Sequence, residues 1–149
     1  DTLRGDGGND ALNGNSGVDL LVGGGGNDRL NGAGGNDRLG GNSGADLFIF
    51  ARKGGNDTIR DFQDDIDTLR IVGHGSKADV LARASEVGDD LYFDLEGNHS
   101  ITLRNMTLDQ ISDDLLATLS GEATQQWTGT FNPRSMTAEA FQQVYRNAM

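Results

Sequence analysis

Large apolar side chains recur every nine residues at the start of this chain, at Leu3, Leu12, Leu21, Leu30, Leu39 and Phe48. An Asp stands two positions before each of them, at Asp1, Asp10, Asp19, Asp28, Asp37 and Asp46. Glycine and asparagine crowd the residues between. After Asp1-Thr2-Leu3-Arg4 the chain reads GDGGNDALN, GNSGVDLLV, GGGGNDRLN, GAGGNDRLG and GNSGADLFI, with no slip in register. A flexible linker of the same composition would not hold that phase. Each glycine-rich hexad predicts a tight turn with backbone positions at positive φ. The three residues after it predict a short strand whose middle side chain points inward.

The pattern changes at Leu47, where Leu47-Phe48-Ile49-Phe50 is apolar on both faces and predicts a strand covered from outside as well as from within. Alternation then predicts half-buried strands at Thr58-Ile59-Arg60-Asp61-Phe62, Asp67-Thr68-Leu69-Arg70-Ile71, Asp90-Leu91-Tyr92-Phe93-Asp94-Leu95 and Ser100-Ile101-Thr102-Leu103. Gly97-Asn98 predicts a hairpin turn between the last two. A short helix is expected from Thr107, with Gln110 completing a capping box and Leu108, Ile111, Leu115 and Leu119 on one stripe. A second is expected after Pro133, with Met136, Ala140, Phe141, Val144, Tyr145 and Ala148 at helical spacing. The expected organisation is a repeat region over 1–60, a β-rich capping region over 61–120 and a tail with an amphipathic helix over 121–149.

At 149 residues the chain has room for one ordinary domain or two small ones. Its 12 basic and 23 acidic side chains give a net charge of −11, which disfavours nucleic acid and anionic membrane surfaces as partners and favours cations. The absence of cysteine excludes disulfides and thiolate metal sites. No apolar run approaches the length of a membrane span, and no charged-then-apolar leader opens the sequence. His74 and His99 lack spaced partners for a histidine metal site and read as surface side chains. Asp64, Asp65 and Asp67 lack the glycine and distal Glu of an EF-hand loop and read as a solvated acidic turn. Gly23 to Gly26 are not followed by Gly-Lys-Ser/Thr and do not form a phosphate loop. The sequons at Asn56, Asn98 and Asn105 read as chance, and Trp127 reads as a packing anchor rather than a sugar platform. The serines lack a nucleophile elbow and an adjacent base, so no catalytic residue is expected and the chain is not read as an enzyme.

The repeat matches G-G-x-G-x-D-x-U-x, with U apolar, and so resembles the calcium-binding nonapeptide repeat of RTX, or hemolysin-type, proteins. The run GADLFIF followed by GGNDTIRDFQDDIDTL is similar to the segment that closes the roll in serralysin-type proteases and other type I secreted exoproteins. The resemblance implies an all-β fold: a right-handed parallel β-roll capped by antiparallel strands, with two short C-terminal helices. Two repeats then make one coil, so Asp10, Asp28 and Asp46 share one edge while Asp1, Asp19 and Asp37 share the other. Stacked carboxylates repel. A hard cation between two turns accepts both carboxylates together with backbone carbonyls, which suits calcium's six to eight oxygen ligands better than magnesium's smaller, wetter shell. One buried apolar side chain per nine residues is little against the cost of ordering the backbone, so the roll is expected to fold on binding several Ca2+ ions.

In the family, the upstream turn of each pair gives carbonyls from its second and fourth positions, the downstream turn gives carbonyls from its first and third, and both give the Asp. Carried over, one site uses Asp6, Gly8 and Asp10 with Gly23, Gly25 and Asp28. A second uses Asn15, Gly17 and Asp19 with Gly32, Gly34 and Asp37. A third pairs Gly24, Gly26 and Asp28 with Gly41, Ser43 and Asp46. A fourth, with a turn arriving two residues late, joins Ala33, Gly35 and Asp37 to Gly54 and Asp57. The Asp1 edge carries half a site, and the mid-repeat start leads us to expect further repeats or another domain upstream. The resemblance further implies a secreted, extracellular module for calcium-dependent folding, stabilisation and export by type I secretion machinery, its C-terminal stripe being either a helix packed on the cap or part of the secretion signal. Any catalytic domain of a parent enzyme would lie upstream. The alternative is a polysaccharide-binding accessory module similar to those of alginate epimerases, with Arg29, Arg38, Arg52, Lys53, Arg60 and Arg70 as a cationic stripe.

Overall fold

The nine-residue period folds as a stack of parallel coils in a computed structural model that describes residues 1–52 and 54–118. Eight strands alternate between two sheets: β1 (Thr2–Gly7), β2 (Ala11–Asn13), β3 (Leu20–Gly25), β4 (Arg29–Asn31), β5 (Arg38–Ser43), β6 (Leu47–Ala51), β7 (Asn56–Ile59) and β8 (Thr68–Val72). Odd strands pair in parallel in one sheet and even strands in parallel in the other. The register places Leu3 beside Leu21, Leu39 and Ile59, and Leu12 beside Leu30, Phe48 and Leu69. Those middle side chains point into the roll: Leu21, Leu30, Leu39, Phe48, Ile59 and Leu69 are all 0% exposed. The architecture is therefore the expected all-β parallel roll, of about four turns.

The cap grows from the last coil. It contains α1 (Lys77–Leu81), β9 (Ala84–Val87), β10 (Asp90–Leu95), β11 (His99–Leu103), α2 (Leu108–Ile111) and β12 (Leu115–Thr118). β11 joins β7 in parallel, and β10 and β9 follow antiparallel, completing a seven-stranded sheet. β12 joins β8 in parallel and ends a five-stranded sheet. The β10–β11 hairpin turns at Gly97 and Asn98, both at positive φ, as the sequence predicted. Both faces of β6 are covered, leaving Ile49 8% and Phe50 4% exposed, and the ring of Phe62 packs 5.8 Å from that of Phe48. One apolar cluster runs from Leu21 in the roll to Ile111 and Leu115 beyond the hairpin.

Three elements differ from the sequence reading. α1 and β9 carry weak signals, since β9 leaves Ser85, Glu86 and Val87 exposed and so lacks an alternating buried face. The helix opened by Thr107 stops at Ile111, and Leu115 enters a strand because the Leu69 N–H donates to the Asp114 carbonyl at 2.9 Å and draws the segment onto β8. Leu119, Trp127 and the helix expected after Pro133 lie outside the described residues. No helix among the described residues is long and apolar enough to cross a membrane.

Candidate metal centre

Each repeat turn bends by setting its second and fourth residues at positive φ. Asp6, Asn15, Ala33 and Asn42 hold the second position at 65° to 68°, and Gly8, Gly17, Gly26, Gly35 and Gly44 hold the fourth at 116° to 137°. At Gly35 a Cβ would run into the Gly17 carbonyl of the coil before, so no other residue fits. The first position is crowded by the site itself. A Cβ on Gly5 would sit 2.5 Å from the Gly23 carbonyl oxygen and 2.7 Å from Asp10 Oδ2, and one on Gly14 would sit 2.7 Å from the Gly32 carbonyl oxygen and 2.8 Å from Asp19 Oδ2. An upstream Asp oxygen and a downstream first-position carbonyl thus converge on one point, at both edges of the roll.

The aspartates form two ladders. On one edge the N–H of Asp10 donates to Asp28 Oδ1 at 2.8 Å, and that of Asp28 to Asp46 Oδ1 at 2.8 Å. On the other, the N–H of Asp19 donates to Asp37 Oδ1 at 2.9 Å, and that of Asp37 to Asp57 Oδ1 at 2.9 Å. The structure therefore brings together the aspartates of all four turn pairs expected from the sequence. The third-position carbonyls of Gly25, Gly34, Ser43 and Gly54 each accept the N–H of Gly8, Gly17, Gly26 or Gly35 across the same pairs, at 2.7 to 2.9 Å. A carbonyl oxygen keeps a second lone pair after accepting one such bond.

At five of these six aspartates the ladder leaves over one carboxylate oxygen. Oδ2 of Asp10, Asp19, Asp28, Asp37 and Asp46 is buried without a hydrogen-bond partner. Asp19, Asp28, Asp37 and Asp46 are at most 3% exposed. An unpaired buried carboxylate is costly unless it coordinates a cation. Burial, with the neighbouring Asp19 carboxylate, raises the Asp37 carboxyl above its ordinary value, and burial with Asp28 and Asp61 does the same for Asp46, each against a lowering backbone hydrogen bond. Asp57 is pushed up to about 7, chiefly by burial and then by Asp37. Five orphaned oxygens, stacked beside backbone carbonyls, form a donor set of hard oxygens alone, which fits calcium and offers nothing to a softer metal.

Several polar residues depart from the sequence reading. Asp67 is not part of a solvated turn but is 1% exposed, and its Oδ1 accepts the Asp46 N–H at 2.9 Å. The tetrad Asp1-Thr2-Leu3-Arg4 recurs as Asp67-Thr68-Leu69-Arg70, and nearly so as Asp57-Thr58-Ile59-Arg60, which is the signal that marks Asp67 as a rung. Asp64 and Asp65 instead gather with Asp114, their carboxylate oxygens within 4.8 Å of one another. Burial first, then Asp64 and Asp113, lift the Asp114 carboxyl to about 6. Asp61 grips the turn above it, accepting the N–H groups of Gly41 at 3.0 Å and Asn42 at 3.1 Å. Asn9 and Asn27 run a second ladder, accepting from the N–H of Asn27 at 2.8 Å and Ala45 at 3.0 Å. His74 is buried rather than superficial, at 8% exposed, and burial followed by the nearby Arg52 charge lowers its pKa. His99 Nδ1 accepts the Gly55 N–H at 2.9 Å, a structural role.

A family model of the RTX calcium-binding nonapeptide repeat, in four copies, matches residues 1–21 and 13–48. Residues 1–48 carry RTX calcium-binding repeats. The extracellular lipase LipA from Serratia marcescens shares the RTX roll's fold with a TM-score of 0.62 and 26% identity, covering 75% of this chain and 20% of the lipase. The chain thus spans about a fifth of that protein's length. The AlgE6R3 subunit of the Azotobacter vinelandii mannuronan C5-epimerase aligns at 21% identity over 85% of this chain and 87% of that one, with a TM-score of 0.34, too loose a likeness to bear on function. Comparison with curated proteins finds no match.

Proposed function

We propose that this chain is a calcium-triggered folding and secretion module of an extracellular protein, with Ca2+ held between stacked RTX turns at the four pairs named above. The observation that carries the reading is the row of buried, unpartnered Asp Oδ2 atoms. In a cytosol where calcium lies far below the affinity of extracellular modules, on the order of 0.1 to 1 mM, the repeats stay unfolded and can be threaded through an exporter. Outside, calcium neutralises the stacked carboxylates and the roll folds, which blocks back-sliding and stabilises whatever precedes it. On this reading the chain binds and folds, and the catalysis of any parent enzyme resides in another region. Export of a reporter fused to the chain, compared between the native sequence and the Asp19→Ala, Asp28→Ala double variant, tests it. A marked loss is expected, and equal export by the two counts against the role.

A second reading, as a polysaccharide-contacting surface, draws support from one groove only. The cations named for the stripe are divided, with Arg29 and Arg70 on the five-stranded sheet and Arg38 on the seven-stranded one. Arg38 and Arg60, joined by Arg104, line a groove of about 1030 Å³ that could take an acidic sugar chain. Calorimetric titration of an oligouronate in calcium separates the readings, since a pure folding module gives no heat.

A further inference from the structure

Of the five unpartnered Asp Oδ2 atoms in the ladders, four open a repeat pair, those of Asp10, Asp19, Asp28 and Asp37; the fifth, Oδ2 of Asp46, belongs to none of the four as an upstream ligand. Asp46 is 2% exposed, and its Oδ1 already accepts from Asp28 on the coil before. The next turn on that edge, Phe62 to Asp67, is no glycine-rich repeat and closes with its own bond from the Asp67 N–H to the Gln63 carbonyl at 2.9 Å, yet it ends in the ladder bonds of a repeat. Asp67 Oδ1 accepts the Asp46 N–H at 2.9 Å, and the Thr68 N–H donates to the Asp46 carbonyl at 2.8 Å, as the Leu47 N–H donates to that of Asp28 at 2.8 Å. Asp65 stands two residues before Asp67, in the sequence place of the fourth-position glycines and also at positive φ, though at 66° rather than their 116° to 137°.

We propose that a fifth cation level, taking a hard divalent ion such as calcium, lies between Asp46 Oδ2 and the Asp67 carboxylate, with the Gly44 carbonyl in the upstream place that Gly8, Gly17, Gly26 and Gly35 occupy elsewhere. It rests on the reading of the repeat turns as calcium sites. Asp61 adds a third carboxylate at its border, where it grips Gly41 and Asn42. The carboxylates nearest Asp67 are those of Asp46 and Asp61, so three acids meet here with no cationic side chain among the described residues named at the level. The level has fewer oxygens to offer than the others. The Asn42 carbonyl accepts from Gln63 Nε2, and Asp67 Oδ2 accepts the Gln63 N–H at 2.9 Å. It is therefore the weakest level and the last to fill.

An anomalous difference map from crystals of the whole chain grown in calcium tests this. A peak about 2.3 to 2.6 Å from Asp46 Oδ2 and from an Asp67 oxygen is expected, besides peaks at the four repeat levels. Peaks at the repeat levels with none between Asp46 and Asp67 overturn this inference alone; no peak at any level overturns the calcium reading with it. In solution, Gln63→Ala frees the Asn42 carbonyl and should lower the half-saturation of the last calcium step severalfold. A last step left unchanged would contradict the fifth level.

Discussion

The roll and the cap are held by different forces, although one apolar cluster joins them. In the roll, each repeat buries a single large side chain, such as Leu21, Leu30 or Leu39, and stacks a carboxylate whose second oxygen has no protein partner. In the cap, Leu91, Phe93, Leu95, Ile101, Leu103 and Ile111 are all buried within a short stretch of chain. Three of its carboxylates are answered by neighbours: Glu96 accepts from Arg83 at 2.6 Å, Asp90 from Arg104 at 3.1 Å, and Glu86 from the Leu108 N–H at 3.0 Å. Those contacts are exposed and contribute little, so apolar burial carries the cap. The roll has the backbone ladder and too little apolar area to offset its ordering, which leaves the stacked aspartates as the place where a ligand decides the outcome.

The sharpest way to break that contrast is Asp28→Ala, because Asp28 serves the levels above and below it. An ion bound at a hundred times its Kd stabilises by about 2.7 kcal/mol, so losing two levels costs about 5 kcal/mol there. The deficit should also grow with calcium, by about 1.4 kcal/mol per lost ion for each tenfold rise, as urea melts at several calcium concentrations would read. Phe93→Ala, in the cap, should cost about 3 to 5 kcal/mol by the same melts, with a deficit that does not change with calcium. A Phe93→Ala deficit that tracked calcium would erase the distinction between the two regions. Asn27→Ala removes the acceptor for the Ala45 N–H and should cost about 1 kcal/mol at any calcium concentration, which separates the Asn ladder from the Asp ladders.

The effect of pH differs in sign with and without calcium. Without calcium, burial raises the carboxyls of Asp57 to about 7 and Asp67 to about 6, from an ordinary 3.8. The folded form then holds more protons than the unfolded one, so folding is unpenalised below about pH 4 and loses stability as pH rises towards 7. With calcium the dependence reverses, because protons compete with the ion for the same carboxylates. Circular dichroism against pH, with calcium and with chelator, should give slopes of opposite sign.

The roll was legible in the sequence because its period is strict: one Asp and one inward Leu per nine residues dictate both register and edge. The closure was harder to read, since the ladder spacing stretches from 18 residues to 20 at Asp37 and Asp57 and to 21 at Asp46 and Asp67. The last of these turns has no glycine signature, so Asp67 looked like one acid among several. Leu108, Ile111 and Leu115 share a helical stripe, yet pairing with β8 overrides it at Leu115. The buried state of His74 had no sequence signal, as the charged and titratable groups around it, Arg52, Arg83, Glu96 and His99, are distant in the chain.

Far-UV circular dichroism of the whole chain, with calcium titrated against a chelator, tests the central claim most directly. Strand signal should collapse on chelation and return as calcium reaches the range of extracellular modules, on the order of 0.1 to 1 mM. A spectrum unchanged by the chelator would mean that the roll folds without its ion, and would contradict the account.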